Sequence, residues 1–390
     1  MSNTETRIET RAPAPGQAPG HARTATRSPG LWALAWRRLR ADHVAMLALA
    51  IVALYLITLV LSASGVVARD WEEEVGVNYA PPGFVGAQSA SDRNMLGTDS
   101  LTEAPPPENP LDPLRDVIRE LRGTPSAAQA PLRNDYGIAD PLQKELDDIR
   151  GELARKGVIA AATRRETLPF GADKWGHDII KKTVKGAETS IVVGLVAALL
   201  ATLLGSVFGA IAGYFGGRVD DIFNWFYSIF TSVPYLLLIL AVAAVLQQKG
   251  VLTIVLILGL TGWTGTFRLI RAEYLKHKNR EYVWAADAIG ASNLRKMFSH
   301  IFPNVSHVAL VQMSILVVSF IKSEVILSFL GFGVPVGTVS WGSMLNEAQN
   351  ELILGKWWQL TAASIAMAVL VTAFSLFTDA LRDALDPKLK

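Results

Sequence analysis

Six apolar stretches, at 44–64, 189–212, 222–246, 251–270, 305–330 and 358–377, set the rhythm of this chain. Roughly twenty apolar residues suffice to carry a helix across a bilayer core, so each stretch predicts a membrane-spanning helix. Six crossings leave both termini on the same side. Wedged between the fourth and fifth is a polar, helix-forming segment, 281–304, reading EYVWAADAIGASNLRKMFSHIFPN. Its two halves predict short amphipathic helices, with Tyr282, Ala285, Ala286 and Ile289 on one face and Leu294, Met297, Phe298 and Ile301 on the next. Gly290 stands where a left-handed residue ends the first helix, and Ser292 where a hydroxyl caps the second.

Charge orients the pattern. Arg37, Arg38 and Arg40 precede the first span, and Arg268, Arg271, Lys276, Lys278, Arg280, Arg295 and Lys296 surround the polar segment. By the positive-inside bias these mark the cytoplasmic face, and Arg382, Lys388 and Lys390 agree. The long segment 65–186 then lies on the opposite side, where its own charges escape the bias. Residues 1–29, rich in Ala, Pro, Thr and Arg, cannot bury a core and predict a disordered cytoplasmic tail. The tryptophans and cationic end of 31–40 suit a helix lying at the membrane surface. The expected organisation is a tail at 1–29, an interfacial helix and first span at 30–64, an extracytoplasmic loop at 65–187, and a five-span core at 188–386 with its cytoplasmic loop at 272–304.

Composition removes several functions. The chain has 390 residues, half of them hydrophobic, and a net charge of +2 that gives no sign of nucleic acid. It holds no cysteine, which excludes disulfides, thiolate metal sites and cysteine catalysis. Its six histidines are scattered, without metal-binding spacing. A phosphate-cradling Walker sequence is also missing.

Within the loop, the Pro-rich stretch 103–110 predicts extended linker. Mixed charges over 141–165 predict a solvated helix, with docking of a partner as the alternative. The Gly and Asp density at 170–178 fits no EF-hand and predicts a tight turn. Inside the membrane, Gly205, Gly209, Gly213 and Gly217 recur every four residues and predict a face that a second helix approaches closely. Pro234 predicts a kink in the third span. Lys322 and Glu324 need protein or water around them at that depth. Glu324 either lines a path or bonds within the bundle.

The 281–304 segment resembles the EAA loop of bacterial ABC importer permeases: Glu-Ala-Ala, three residues, Gly, nine residues, Ile, any residue, Leu-Pro. Ala285, Ala286, Gly290 and Pro303 fall in register, whereas Trp284, His300 and Phe302 depart from it. Glu281-Tyr282, Gly290-Ala291-Ser292 and His300-Ile301-Phe302-Pro303-Asn304 look like the dipeptide, oligopeptide and nickel subgroup. Further phrases are similar to that subgroup: 170–178 to its Leu-Gly-Thr-Asp, two residues, Gly-Arg-Asp, with Phe170, Ala172 and His177 departing, and a partial echo at 96–99. Others are 323–333, Ser340-Trp341-Gly342-Ser343-Met344-Leu345, and 379–387 ending in Pro387. The resemblance covers about 170–390 and the amino-terminal anchor, and leaves most of 80–168 uncovered.

What the resemblance implies is an all-α polytopic membrane protein of six transmembrane helices, with a largely irregular or helical periplasmic insertion after the first. It would be the second of two homologous permeases in a multi-pass inner-membrane importer of di- or oligopeptides, both termini cytoplasmic. Two cytoplasmic ATPase subunits would carry ATP and Mg, this chain binding no cofactor, and a periplasmic solute-binding protein would deliver cargo. Glu281, Tyr282, Ala285, Ala286, Gly290, Ala291, Ser292 and Pro303 would form the ATPase-coupling loop, with Glu324 and Pro234 as candidates for the path. The alternatives are import of nickel, glutathione or another small solute, an ion-coupled secondary transporter, and an anchor subunit whose large loop holds a periplasmic partner.

Overall fold

The computed structural model describes residues 31–86, 148, 164–335 and 337–385. The expected tail at 1–29, the linker at 103–110, the echo at 96–99, nearly all of the charged segment 141–165 and the stop at Pro387 lie outside the described residues. Among the described residues the regular elements are helices, and the only strand-like features are isolated bridges.

A short helix α1 (Leu31–Ala41) leads into α2 (His43–Ala63), whose first turn is capped by the Asp42 carboxylate accepting from the Val44 and Ala45 N–H groups. The 37-residue α3 (Ile179–Phe215) begins ten residues before the apolar stretch that announced it. Hydropathy misses this extension because its residues, among them Lys181, Lys182, Lys185 and Glu188, are polar. Asp178 starts the helix there by accepting from Ile180 and Lys181 N–H.

The third apolar stretch corrects the expectation of a single kinked span. It forms α4 (Gly217–Thr231) and α5 (Tyr235–Leu246), which meet at 83°. Pro234 sits at the break with φ −54° and ψ 130°, an extended conformation. It supplies no N–H, and its ring would clash with the carbonyl one turn earlier in a continuous helix. After α6 (Val251–Thr261) and α7 (Thr264–His277) come α8 (Glu281–Ala288), the single turn α9 (Asn293–Arg295), and α10 (Phe302–Phe329). The chain finishes with the amphipathic α11 (Trp341–Ile353) and the apolar α12 (Trp358–Leu385). Five helical stretches are long and apolar enough to cross a membrane, and six if the bent pair counts as one.

At the centre, α3 packs along α7 through small residues. A Cβ on Gly205 would lie 2.6 Å from Trp263 O, one on Gly209 2.7 Å from Phe267 O, and one on Gly213 2.7 Å from Arg271 O. The backbones therefore touch directly. Gly217 does not share this role: α3 has ended at Phe215, the chain turns, and Gly217 has open space around its Cβ position with φ +53°. Arg271 of α7 donates through Nε and a terminal nitrogen to both oxygens of Asp220, at 2.5 and 2.6 Å, pinning the start of α4 to the same pair.

Between α2 and α3 the two ends of the long loop are stitched together. Parallel bridges join Gly76 to Arg165 and Pro82 to Leu168, and antiparallel bridges join Glu74 to His177 and Ala172 to Asp178. Trp358 is buried beneath this stem and donates from Nε1 to Ala172 O at 2.7 Å. Trp357 remains at the surface, against Phe84 and Phe170.

The packing makes a direct prediction. Gly209→Leu overpacks the α3–α7 contact and costs about 1–3 kcal/mol or more, lowering the thermal midpoint of the detergent-solubilised protein. Val207→Leu, on the exposed side of the same helix, leaves the midpoint unchanged.

Candidate functional site

The hairpin after α7 is built outward from a small apolar core. Val283 of α8 turns inward onto Ile270, Tyr274, Met297, Ile301 and Val305, and Ala286 is buried beside it on the same helix. Gly290 has φ +80°, a conformation that costs a side chain dearly, and its N–H donates to Asp287 O at 2.9 Å. Ser292 then caps the next helix, its hydroxyl accepting from Arg295 N at 3.4 Å. Two polar contacts tie the hairpin to the spans, Tyr274 OH donating to Met297 O at 3.1 Å and Tyr214 OH to Asn293 Oδ1 at 3.0 Å, and a third ties its halves to each other, Lys296 Nζ donating to Asp287 Oδ1 at 2.5 Å.

The expected faces change. Ala286 is buried while Tyr282, Ala285 and Ile289 are exposed, and Met297 and Ile301 are buried while Leu294 and Phe298 are exposed. One cause is a π turn over Lys296–Ile301, in which Phe302 N–H reaches back to Met297 O. The extra residue in that turn rotates the register of α10 behind it. Pro303 explains its position: lacking an N–H, it cannot pair with the Ser299 carbonyl, and a widened turn makes room for its ring. Glu281 and Ser292 are exposed and Ala291 half-buried. The result is a rigid knob presenting Tyr282, Trp284, Ala285, Ile289, Leu294 and Phe298 outward, with Trp284 62% and Ile289 83% exposed.

At the other end of α3, roughly 50 Å away along the helix, lies a buried polar cluster. Lys182 Nζ donates to Asp173 Oδ2 at 2.7 Å, to Glu347 Oε2 at 2.6 Å and, at 3.4 Å, to Gln359 Oε1. Asp173 also accepts from the backbone of Trp175 and His177 and pairs with His177 Nδ1 at 2.9 Å. Burial alone would raise the Asp173 carboxyl, but the Lys182 charge and these hydrogen bonds overcome it and hold the group below its ordinary value. Glu351, one turn beyond Glu347, is 1% exposed. Neither of its oxygens accepts a well-formed hydrogen bond, and the Lys174 N–H approaches only in weaker geometry. Burial pushes its pKa up to about 7.

Glu324, a candidate for the path, sits inside the bundle of this chain. It is fully buried, accepting from Ser190 Oγ at 2.6 Å and Ser328 Oγ at 2.7 Å. Ser190 Oγ in turn accepts from Trp341 N–H at 3.2 Å, so one chain of bonds links α10, α3 and α11. The cation beside it, Lys322, is the exposed one. Sequence reasoning missed the Lys182 cluster because its partners lie as far as 177 residues away along the chain. Only the acidic 170–178 turn hinted at it.

These features define a class: a helical membrane protein with a rigid surface hairpin at one end of its spans and a polar-pinned cap at the other. Residues 205–390 match the family described as binding-protein-dependent transport system inner membrane component, and residues 30–82 match the N-terminal TM domain of oligopeptide transport permease C. The chain is 36% identical over 244 residues to the dipeptide transport system permease protein DppC of Bacillus subtilis, covering 61% of this chain and 76% of that one. It is 39% identical over 221 residues to the oligopeptide transport system permease protein OppC of the same organism, covering 57% and 72%. The OppC of Escherichia coli K12 is 37% identical over 219 residues, covering 56% and 72%. The chain belongs to this family of inner-membrane permeases: it is a multi-pass transport subunit and not an enzyme, in systems whose ATPase activity resides on separate subunits.

Glu351 carries a pH prediction. Unfolded, it titrates near the model-compound value of 4.5, whereas in the fold it keeps its proton up to about 7. The stability from the protonated, buried form is fully present below the lower value and is lost as pH rises to the upper one, by about 3 kcal/mol. Asp173 has the opposite sign and acts only in more acid solution. Thermal midpoints of the solubilised protein between pH 5 and 8 fall with pH, and Glu351→Gln flattens that slope.

Proposed function

We propose that this chain is one of two homologous permease halves of an ATP-driven importer of short peptides, with both termini in the cytoplasm. The apolar knob carries the reading. A surface with Trp284, Ile289, Leu294 and Phe298 exposed marks a site that another protein covers, and its polar ties to α3 and α7, with its direct continuation into α10, let a push on it reach the spans. One of two cytoplasmic ATPase subunits, carrying ATP and Mg, is the occupant that the family supplies, and Glu281, Tyr282, Ala285, Ala286, Gly290, Ala291, Ser292 and Pro303 form or shape that contact. ATP binding closes the motors, the knob moves with them, and the spans shift between inward-facing and outward-facing states.

A second permease accounts for Lys322. Lys322 lies seven residues before the end of α10, and a lysine left facing lipid within a span is costly, so the exposed face of α10 that bears it meets protein or the water of a shared path. The bend at Pro234 supplies irregular backbone of the kind that membranes tolerate only against protein or a cavity. Residues 65–187 face the periplasm, where a solute-binding protein delivers cargo. Peptides are favoured because the relatives from Bacillus subtilis are named as dipeptide and oligopeptide permeases.

Replacing Ile289 with Asp puts a charge at the centre of the knob. It reduces recovery of the ATPase with the membrane-inserted chain and cuts labelled-dipeptide uptake about tenfold or more; Glu281→Gln at the knob's edge does much less. Uptake of nickel or glutathione in place of dipeptides would redirect the cargo, and uptake persisting without any ATPase would overturn the importer reading.

A further inference from the structure

A cavity of about 360 Å³ opens beside the Lys182 cluster, walled by Trp71 and Glu72 of the loop after α2, by Lys185, Glu188, Thr189 and Val192 of α3, by the first residue of α6, and by 337–339 before α11. Its polar groups are only partly used. Lys185 Nζ donates to Glu188 Oε2 at 2.8 Å, and Ser62 Oγ donates to the same oxygen at 2.6 Å. Among the described residues, Glu188 Oε1, the other Lys185 N–H groups, the Glu72 carboxylate and the hydroxyls of Thr189 and Thr338 have no hydrogen-bond partner. Val192, Val251, Val339 and the Trp71 ring supply apolar wall.

Such a mixture is what a small-molecule site needs: apolar wall with a few convergent polar groups. Lys185 and Glu188 neutralise each other, which leaves Glu72 as surplus negative charge. We infer that this cavity is a transit site for a short peptide, with its free amino end held by Glu72 and Glu188 and its carboxylate by the spare donors of Lys185. The inference rests on the peptide-import reading and adds to it a place where cargo touches this chain. The volume lies at the low end of the usual range for small-molecule pockets, about 300–1,000 Å³, which suits two or three residues. Half-exposed walls make the hold weak, and a transit site must release what it binds. Its walls come from four separate segments, so rearrangement of α3 against the loop before α11 would open or close it.

The absence of cysteine from the chain permits a clean test in the assembled transporter. With Thr338→Cys as the sole thiol, alkylation by a membrane-impermeant maleimide is timed with millimolar Ala-Ala or N-acetyl-Ala-Ala present. Ala-Ala slows labelling about fivefold, the acetylated peptide does not, and adding Glu72→Gln removes the protection. Glu72 is exposed, so that change leaves folding intact. Equal protection by both peptides, or by neither, overturns the inference. Ala-Ala uptake by the same transporter separates the two readings: uptake without protection sinks the cavity alone, and protection without uptake sinks the import reading.

Discussion

The direct backbone contact of α3 with α7 is the constraint on which the rest depends. Lipid chains are as apolar as leucine, so apolar burial gives little reason for two helices to associate in a bilayer, and close packing must supply the force. Gly205, Gly209 and Gly213 let the two backbones meet. Because α3 is a single helix of 37 residues, that contact fixes both of its ends. The hairpin is bonded to Tyr214 near one end of this rod, and the Lys182 cluster sits near the other.

Ionic and hydrogen-bonded pins set which residues of the polar cap face which span. Lys182 and Glu324 are almost wholly buried, and each holds partners on other elements. Such groups are costly to remove from water, and breaking one partner is costlier than never having buried the pair. Their effect is specificity of position. Alternative registers of α11 would strand Lys182, Glu324 or the Ser190 relay without partners. Glu351 is the exception, a buried carboxyl without well-formed hydrogen bonds whose pKa burial raises to about 7.

Much of this was legible in the order of residues, and the failures have physical causes. The apolar stretches mark the spans because hydropathy is local, and the turn at Gly290 and the cap at Ser292 obey rules that act within a few residues. The inward faces of the hairpin were misassigned because the α8 core stripe is only Val283 and Ala286, too short to show a period, and because the π turn before Pro303 rotates the register. Pro234 signalled a kink, yet nothing local distinguishes a mild bend from 83°. Glu324 read as lining a path or as bonding within the bundle, and one of the partners it bonds, Ser190, lies 134 residues away. The periodic glycines failed only at Gly217, where α3 had already ended.

The helices also differ in how far this chain alone satisfies them. About half or more of the apolar windows of α3, α6–α7 and α10 are buried, against about a fifth in α2 and α12. α2 and α12 have apolar exposed residues such as Leu47, Ile57 and Ile365, which lipid can solvate without cost. α10 differs, because its exposed face runs through Ile315 and Ile326 with Lys322 between them. Lipid cannot solvate that lysine cheaply, and no group of this chain among the described residues pairs with it. An ammonium group on the uncovered side of a central helix is therefore the feature of these spans that lipid satisfies least, and protein or water against that face is what the proposed pairing with a second permease would supply.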